Sequence, residues 1–468
     1  MRKFFPNQLN LSYRFIILFF IFIYLPSALA QEGETTPKLT LQECIKLALK
    51  THPEMKITQA QLKEASGKYK EINANYFPKF SIGTSYSRLD YAPQFKVRYL
   101  GDSLNDYQTS LYLKQLIYDG GKTRRLKEWA RRNITVEEEN RRAAQQDLIY
   151  SVTKEYYGLI FSYNMVNVKQ EAVRQIEAHV DVANAMFTSG KVPKVDVLRA
   201  EVQLANVQQE LSKAQNTLQI ASAQLNDLIG RDIDTPIAID TPIGFDAADL
   251  AVHEAEGMSL RGTKQSEELR GTKQTNLTER SQSYLEAAFE SNPQLRRVKE
   301  SIAATEAQIK AERAAYWPNI NFKADYGYEW GDWPPKENVW HIGLAIDIPL
   351  WDGGITKARV NQAKATLERL KATEKLLAKQ ITLQVQKAYL SLKEAESRVS
   401  VTAKSVEQAK ESRRIVEGSY KLGTGISRDV IDAQVALTQA QTNYLQALID
   451  VQLAKADLER AIGAKITK

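Results

Sequence analysis

One apolar seam is written into this chain twice. Starting at Ala200, apolar or small side chains stand at Leu204, Val207, Leu211, Ala214, Leu218, Ala221, Leu225 and Leu228, spaced by four and three without a slip. That spacing is the seam of a coiled coil. Moving 233 residues on gives Ala433, Leu437, Ala440, Tyr444, Ala447, Val451, Ala454, Leu458 and Ala461 in the same register. The chain reads as a tandem repeat of elongated helices, with a first copy over 31–230, a linker over 231–283 and a second copy over 284–463.

The repeat extends upstream of the seam. From Lys122 to Phe187 and from Ile355 to Tyr420 there is no proline, and Gly158 and Gly418 are the only glycines. A column of Val152, Leu159, Val166, Val173, Val180 and Phe187 answers to Val385, Leu392, Val399, Val406, Arg413 and Tyr420. These spans predict two long helices, 122–187 and 355–420, each roughly 100 Å at ~1.5 Å per residue. Tight turns at 188–193 and 421–425 send the chain back as return helices 194–229 and 427–462. A return helix covers about half its partner, so the shorter helix that opens each copy stacks on it end to end in this reading, with joints near Gly230 and Gly463.

That opening helix begins at a T-x-x-E capping box, Thr40 and Glu43. His52-Pro53 interrupts it and Tyr76-Phe77-Pro78 stops it, and the second copy reads Asn292-Pro293 and Tyr316-Trp317-Pro318. An asparagine in the place of His52 favours a capping role over a metal site. Each stop leads into a strand hairpin, about 79–90 with 107–118, and about 319–330 with 338–350. In the second hairpin Ile320, Phe322, Ala324, Tyr326, Tyr328 and Trp330 alternate with polar residues, as do Trp340, Ile342, Leu344, Ile346, Ile348 and Leu350. One face is apolar and the other wet. The lengths suit tilted outer-membrane strands of ~9–11 residues, with Tyr118, Trp330, Trp333, Trp340 and Trp351 as an interfacial aromatic belt. A soluble hairpin with its apolar face on a helix is the alternative.

Composition narrows the setting. Arg2, Lys3 and Arg14 precede the apolar run Phe15 to Leu25, and Ala28-Leu29-Ala30 offers a cleavage site, so 1–30 reads as a signal peptide. Its removal lowers the formal net charge from +7 to +4, which suggests no nucleic-acid partner. Cys44 is the only cysteine, so the chain has no intramolecular disulfide and no thiolate cluster. His52, His179, His253 and His341 show no ligand spacing, and with no nucleophile motif an enzyme is the least supported class and no cofactor is expected. The linker holds LRGTKQ twice, at 260–265 and 269–274, beside an Asn276-Leu277-Thr278 sequon, in a polar stretch that reads as a solvated insertion.

Each hairpin passes to its long helix through the same sequence, Tyr118-Asp119-Gly120-Gly121 and Trp351-Asp352-Gly353-Gly354. Its glycines allow a sharp turn with positive φ, a structural joint. Four strands cannot close a barrel in lipid, where edge N–H and C=O groups would be unpaired. Several chains are needed: two give eight strands, usually filled by side chains, and three give twelve and a lumen.

In LTLQECIKLAL with its following HP, the FP and WP stops, YDGG and WDGG, and YKLGTGISRDVIDAQVALTQAQ at 420–441, the chain resembles the TolC-type outer-membrane efflux proteins over nearly all of residues 39–463. The resemblance implies an α+β membrane protein: a homotrimer with a 12-stranded β-barrel in outer-membrane lipid, continued by an α-helical tunnel in the periplasm. It implies a passive exit duct for a tripartite efflux pump or a type I secretion system, with a periplasmic adaptor (membrane fusion protein) and an inner-membrane pump of RND or ABC type as partners. A stand-alone diffusion porin and a soluble periplasmic coiled-coil scaffold are the other readings.

Site residues follow from the same segment. Asp429 and Asp432, three apart near a helix start, share a face; in three copies they would form carboxylate rings at a pore constriction, or else they only offset the helix dipole. Asp196 and Tyr420 match tip positions that hold such tunnels closed in the family; where the family implies an arginine this chain has Gly425, so either Arg428 stands in or the closed state is held more weakly. Gly190, Val192, Leu422, Gly423 and Thr424 form the tip turns expected to meet the adaptor.

Overall fold

A computed structural model of the chain describes residues 38–88, 105–239, 281–331 and 338–464. The expected signal peptide, Trp333 and the insertion with its sequon lie outside the described residues. Helix α1 (Leu41–Thr51) opens with the Thr40–Glu43 capping box, both reciprocal bonds present. His52 then caps α2 (Pro53–Asn73), its Nδ1 accepting from the Glu54 N–H at 3.3 Å. Strands β1 (Lys79–Arg88) and β2 (Asn105–Tyr118) lead to the long helix α3 (Lys122–Thr188) and the return helix α4 (Lys194–Ile229). A second series follows: the helical residues 281–291 (α5), α6 (Pro293–Arg313), β3 (Asn319–Trp330), β4 (Asn338–Asp347), α7 (Ile355–Lys421) and α8 (Ser427–Ile462).

Strand β4 ends at Asp347, short of the expected residue 350. Pro349 has no N–H for a ladder and biases Ile348 before it, so pairing stops there.

The strands form one antiparallel sheet in the order β1-β2-β3-β4. The hairpins therefore join through β2 and β3, leaving β1 and β4 as the free edges among the described residues. Phe80, Ile82, Leu111, Tyr326, Trp340, Ile342, Leu344 and Ile346 form an exposed apolar face. The other face carries Lys79, Ser81, Tyr112, Lys114, Lys323, Asp325, His341 and Asp347.

Below the sheet, α2, α3, α6 and α7 lie side by side, with α6 touching both long helices. Further down, α4 and α8 take the places of α2 and α6. The rows are stacked end to end: the Thr51 hydroxyl donates to the Ile229 carbonyl at 2.9 Å, and Asn292 Nδ2 to that of Ala461 at 3.1 Å. Around the first joint a core gathers Cys44, Val152, Leu159, Ile160, Leu225 and Ile229, and around the second Leu295, Ile381, Val385, Leu458 and Ile462. The α8 seam is buried at Leu437, Ala440, Tyr444, Ala447 and Leu458, since α8 lies between α3 and α7. Much of the α4 seam is half-buried, because that helix rests chiefly on α3. Among the described residues no helix is long and apolar enough to cross a membrane.

Candidate functional site

Three places in this architecture carry chemistry: the strand-to-helix joints, the wet face of the sheet and the helical tip. At the joints Gly120, Gly121, Gly353 and Gly354 all have positive φ, between 66° and 86°. The aspartate before each pair does equal work. Asp119 accepts from the Thr123 N–H at 2.7 Å, and Asp352 accepts from those of Gly354 at 2.9 Å and Thr356 at 2.8 Å. Each carboxylate thereby occupies an unsatisfied N–H at the positive end of a long helix. Hydrogen bonds from Thr356, chiefly, hold the Asp352 carboxyl below its ordinary range. In the sequence the glycines mark the joint, and the aspartate three positions ahead of each long helix, Asp119 or Asp352, is the signal for the cap.

At the tip, α3 and α7 each end in a left-handed glycine, Gly190 with φ 72° and Gly423 with φ 78°. The Gly190 and Lys191 N–H groups donate to Phe187 and Met186, both at 2.9 Å, and those of Gly423 and Thr424 to Tyr420 at 2.9 Å and Ser419 at 3.0 Å. These pairs satisfy the last helix carbonyls. Gly190, Leu422, Gly423 and Thr424 stand exposed, and Val192 is half-buried.

Asp429 and Asp432 are exposed on the first turns of α8. Arg428 Nε lies 3.6 Å from Asp432 Oδ2 in an exposed pair of the kind worth at most ~1 kcal/mol. Asp196 lies 3.8 Å from Arg199. Tyr420 is 1% exposed, its ring 5.0 Å from that of His179, and His179 Nε2 sits 2.9 Å from Ser427 Oγ. The structure thus places Tyr420 with His179 and Ser427, Arg428 with Asp432, and Asp196 with Arg199.

Burial pushes the Tyr420 phenol up, with the charge of Asp196 adding to it. Burial pushes His179 down, against the pull of Glu417 and Asp196. By spacing alone His179 is one of four scattered histidines. Its signal was position: Ala172, Ile176, His179 and Ala183 repeat at four, three and four, and all are buried.

An open sheet with an exposed apolar face, run through capped joints into long helices, fits a membrane-seated strand element with a helical extension. The outer membrane efflux protein profile matches residues 44–231 and 284–464, and the chain belongs to that family. It is 23% identical to the outer membrane efflux protein BepC of Brucella suis, over 76% of this chain and 73% of BepC. It is 21% identical to the outer membrane protein TolC of Escherichia coli, over 90% of this chain and 82% of TolC. The crystal structure of CusC superposes with a TM-score of 0.74 at 17% identity, covering 91% of this chain and 92% of CusC. The chain is an outer-membrane channel protein of efflux and secretion systems.

Proposed function

We propose that three copies close into a 12-stranded barrel continued by a helical tunnel, and that this homotrimer is the passive exit duct of a tripartite efflux pump or type I secretion system. The carrying observation is the four-stranded sheet with two free edges and an exposed apolar face. Lipid covers that face at no cost, but the edges must be paired. Joining β4 of one copy to β1 of the next pairs both, and the helical rows below follow the same ring.

Asp429 and Asp432 then repeat about the axis as two carboxylate rings at the constriction, while Asp196, Tyr420 and Arg428 hold the tip contacts. The exposed turns at Gly190, Val192, Leu422, Gly423 and Thr424 receive a periplasmic adaptor, which links the duct to an inner-membrane pump. The test is single-channel conductance of unboiled, detergent-extracted protein in a planar bilayer. A small cation-selective conductance that loses selectivity in Asp429→Asn/Asp432→Asn is expected. A large conductance indifferent to both substitutions would place the constriction elsewhere.

A further inference from the structure

The wet face of the sheet holds a row of like charges. Lys79 on β1 pairs in register with Lys114 on β2, and Lys114 with Lys323 on β3. All three are exposed. Strands lie ~4.8 Å apart, so the row spans about 10 Å, close to the ~8 Å screening length of physiological salt. Like charges directly opposite each other weaken a sheet, and the surroundings do little to relieve them.

Lys79 donates to the neutral Asn75 side chain at 2.9 Å, and among the described residues none of the three lysines is in an ion pair. The nearest carboxylate along β3 on this face, Asp325, is engaged by His341 at 2.9 Å. On β4 the position opposite Lys323 is Gly343, where an added Cβ would meet nothing within 4 Å. Tyr112 lies over Gly83, leaning away from the row. The result is an open basic strip of three lysines in no ion pair at the helix end of the sheet, with Asp325 and Asp347 among the carboxylates further along the same face on β3 and β4.

We propose that Lys79, Lys114 and Lys323 form a binding belt for small, multiply charged anions on the lumen wall, at the barrel end of the duct and away from the carboxylate rings of the tip. This rests on the trimeric duct, in which the three rows join into one ring where barrel meets tunnel. A strip ~10 Å long matches several negative charges on one solute better than one. Each ammonium adds a contact worth about fivefold in affinity at water-like screening.

The probe is inorganic tripolyphosphate, titrated into the detergent-extracted protein by calorimetry and, separately, added to the barrel side of channels in a planar bilayer. Wild type is expected to bind and to show reversible block, both lost near 1 M salt. Lys114→Gln/Lys323→Gln is expected to weaken both about thirtyfold, with unchanged mobility of the unboiled oligomer, and Lys371→Gln, at an exposed position of α7 away from the sheet, to change neither. Binding or block of equal strength in the double variant, or none in wild type, overturns the belt. Conductance that persists without lysine-dependent block refutes the belt and leaves the duct standing. Lysine-dependent binding to a protein that forms no channel keeps the anion site and refutes the duct.

Discussion

Gly120 and Gly353 occupy the same place in the two joints, with φ of 69° and 66°, yet their neighbours differ. A Cβ at Gly120 would stand 2.6 Å from Trp317 Cβ and 2.7 Å from the Ala314 carbonyl oxygen, at the corner where α6 turns into β3. A Cβ at Gly353 would meet nothing within 4 Å. In the proposed ring the equivalent corner, at Ala74 and Phe77, reaches Gly353 from the next subunit. Gly120→Ala should therefore cost ~1–2 kcal/mol for the left-handed backbone plus ~1–3 kcal/mol for overpacking, all within one chain. Gly353→Ala should cost the first amount in the subunit and the second at each subunit contact, so three contacts raise the loss to about 3–9 kcal/mol across the ring. Gly121→Ala and Gly354→Ala are the controls, since both have positive φ and no neighbour within 4 Å. The assay pairs thermal unfolding by circular dichroism with the trimer fraction in native mass spectrometry after graded heating. Gly120→Ala should lower the unfolding temperature most, and Gly353→Ala should lose trimer selectively. A Gly353→Ala protein with the trimer fraction of Gly354→Ala would refute closure through a repeat of this contact.

The tip should respond to acid through His179. Its imidazole is pushed down by burial, so the stabilisation from keeping it neutral is complete above the unfolded value near 6.5 and is lost as pH falls below it. Arg413, Glu417, Tyr420 and Lys421 from α7, Ser427 and Gln434 from α8 and Asp196 from α4 surround it. Hydrogen exchange over 420–434, corrected for intrinsic rates, should show less protection at pH 5 than at pH 7.5. The same drop in His179→Gln would assign the effect to another group. At the second helix stack, Asn292 accepts from the Gln294 and Leu295 N–H groups at 3.0 and 3.3 Å and donates to the Ala461 carbonyl. Asn292→Ala should cost about 1.5–3 kcal/mol in thermal unfolding, a cap and a hydrogen bond together. His52→Ala, with one long cap bond, should cost less than ~1 kcal/mol, and equal losses would refute the assignment.

What could be read in the sequence was what short-range physics forces. A left-handed joint demands glycine, so Gly120, Gly121, Gly353 and Gly354 announced themselves. The length mismatch between long and return helices required end-to-end stacking, and the hydrogen bonds at Thr51 and Asn292 show where it occurs. Period-two alternation gave the apolar sheet face at Ile320 to Trp330. Partnership was not legible. A heptad says which side of a helix is apolar and not what covers it, so nothing told that α6 would sit between α3 and α7, or that β2 would pair with β3. The lysine row depends on that pairing: Lys114 and Lys323 are 209 positions apart and become neighbours only through register. His179 and Tyr420 likewise meet across two long helices.

The unfinished surfaces of the subunit bear on assembly because they all lie on its outer members. The sheet is open at β1 and β4. In the helical array α2 and α4 contact one long helix, α3, at one border, and α7 forms the other. On α7, Leu376, Leu383 and Leu390 recur every seven residues at 58, 67 and 56% exposure, and on α4 Leu198 and Val202 stand exposed as well. A seven-residue leucine column in water is half a coiled-coil seam. An isologous dimer through one border would set β4 on β4 and α7 on α7, and leave β1 and α4 bare. A head-to-tail ring sets β4 on β1 and α7 on the α2 and α4 border, so one rotation satisfies strand edges and helix seams together. The proposed closure at three copies is the one that leaves a lumen: two would give an eight-stranded barrel, a size usually filled by side chains, with no room for a solute to pass the lysine row.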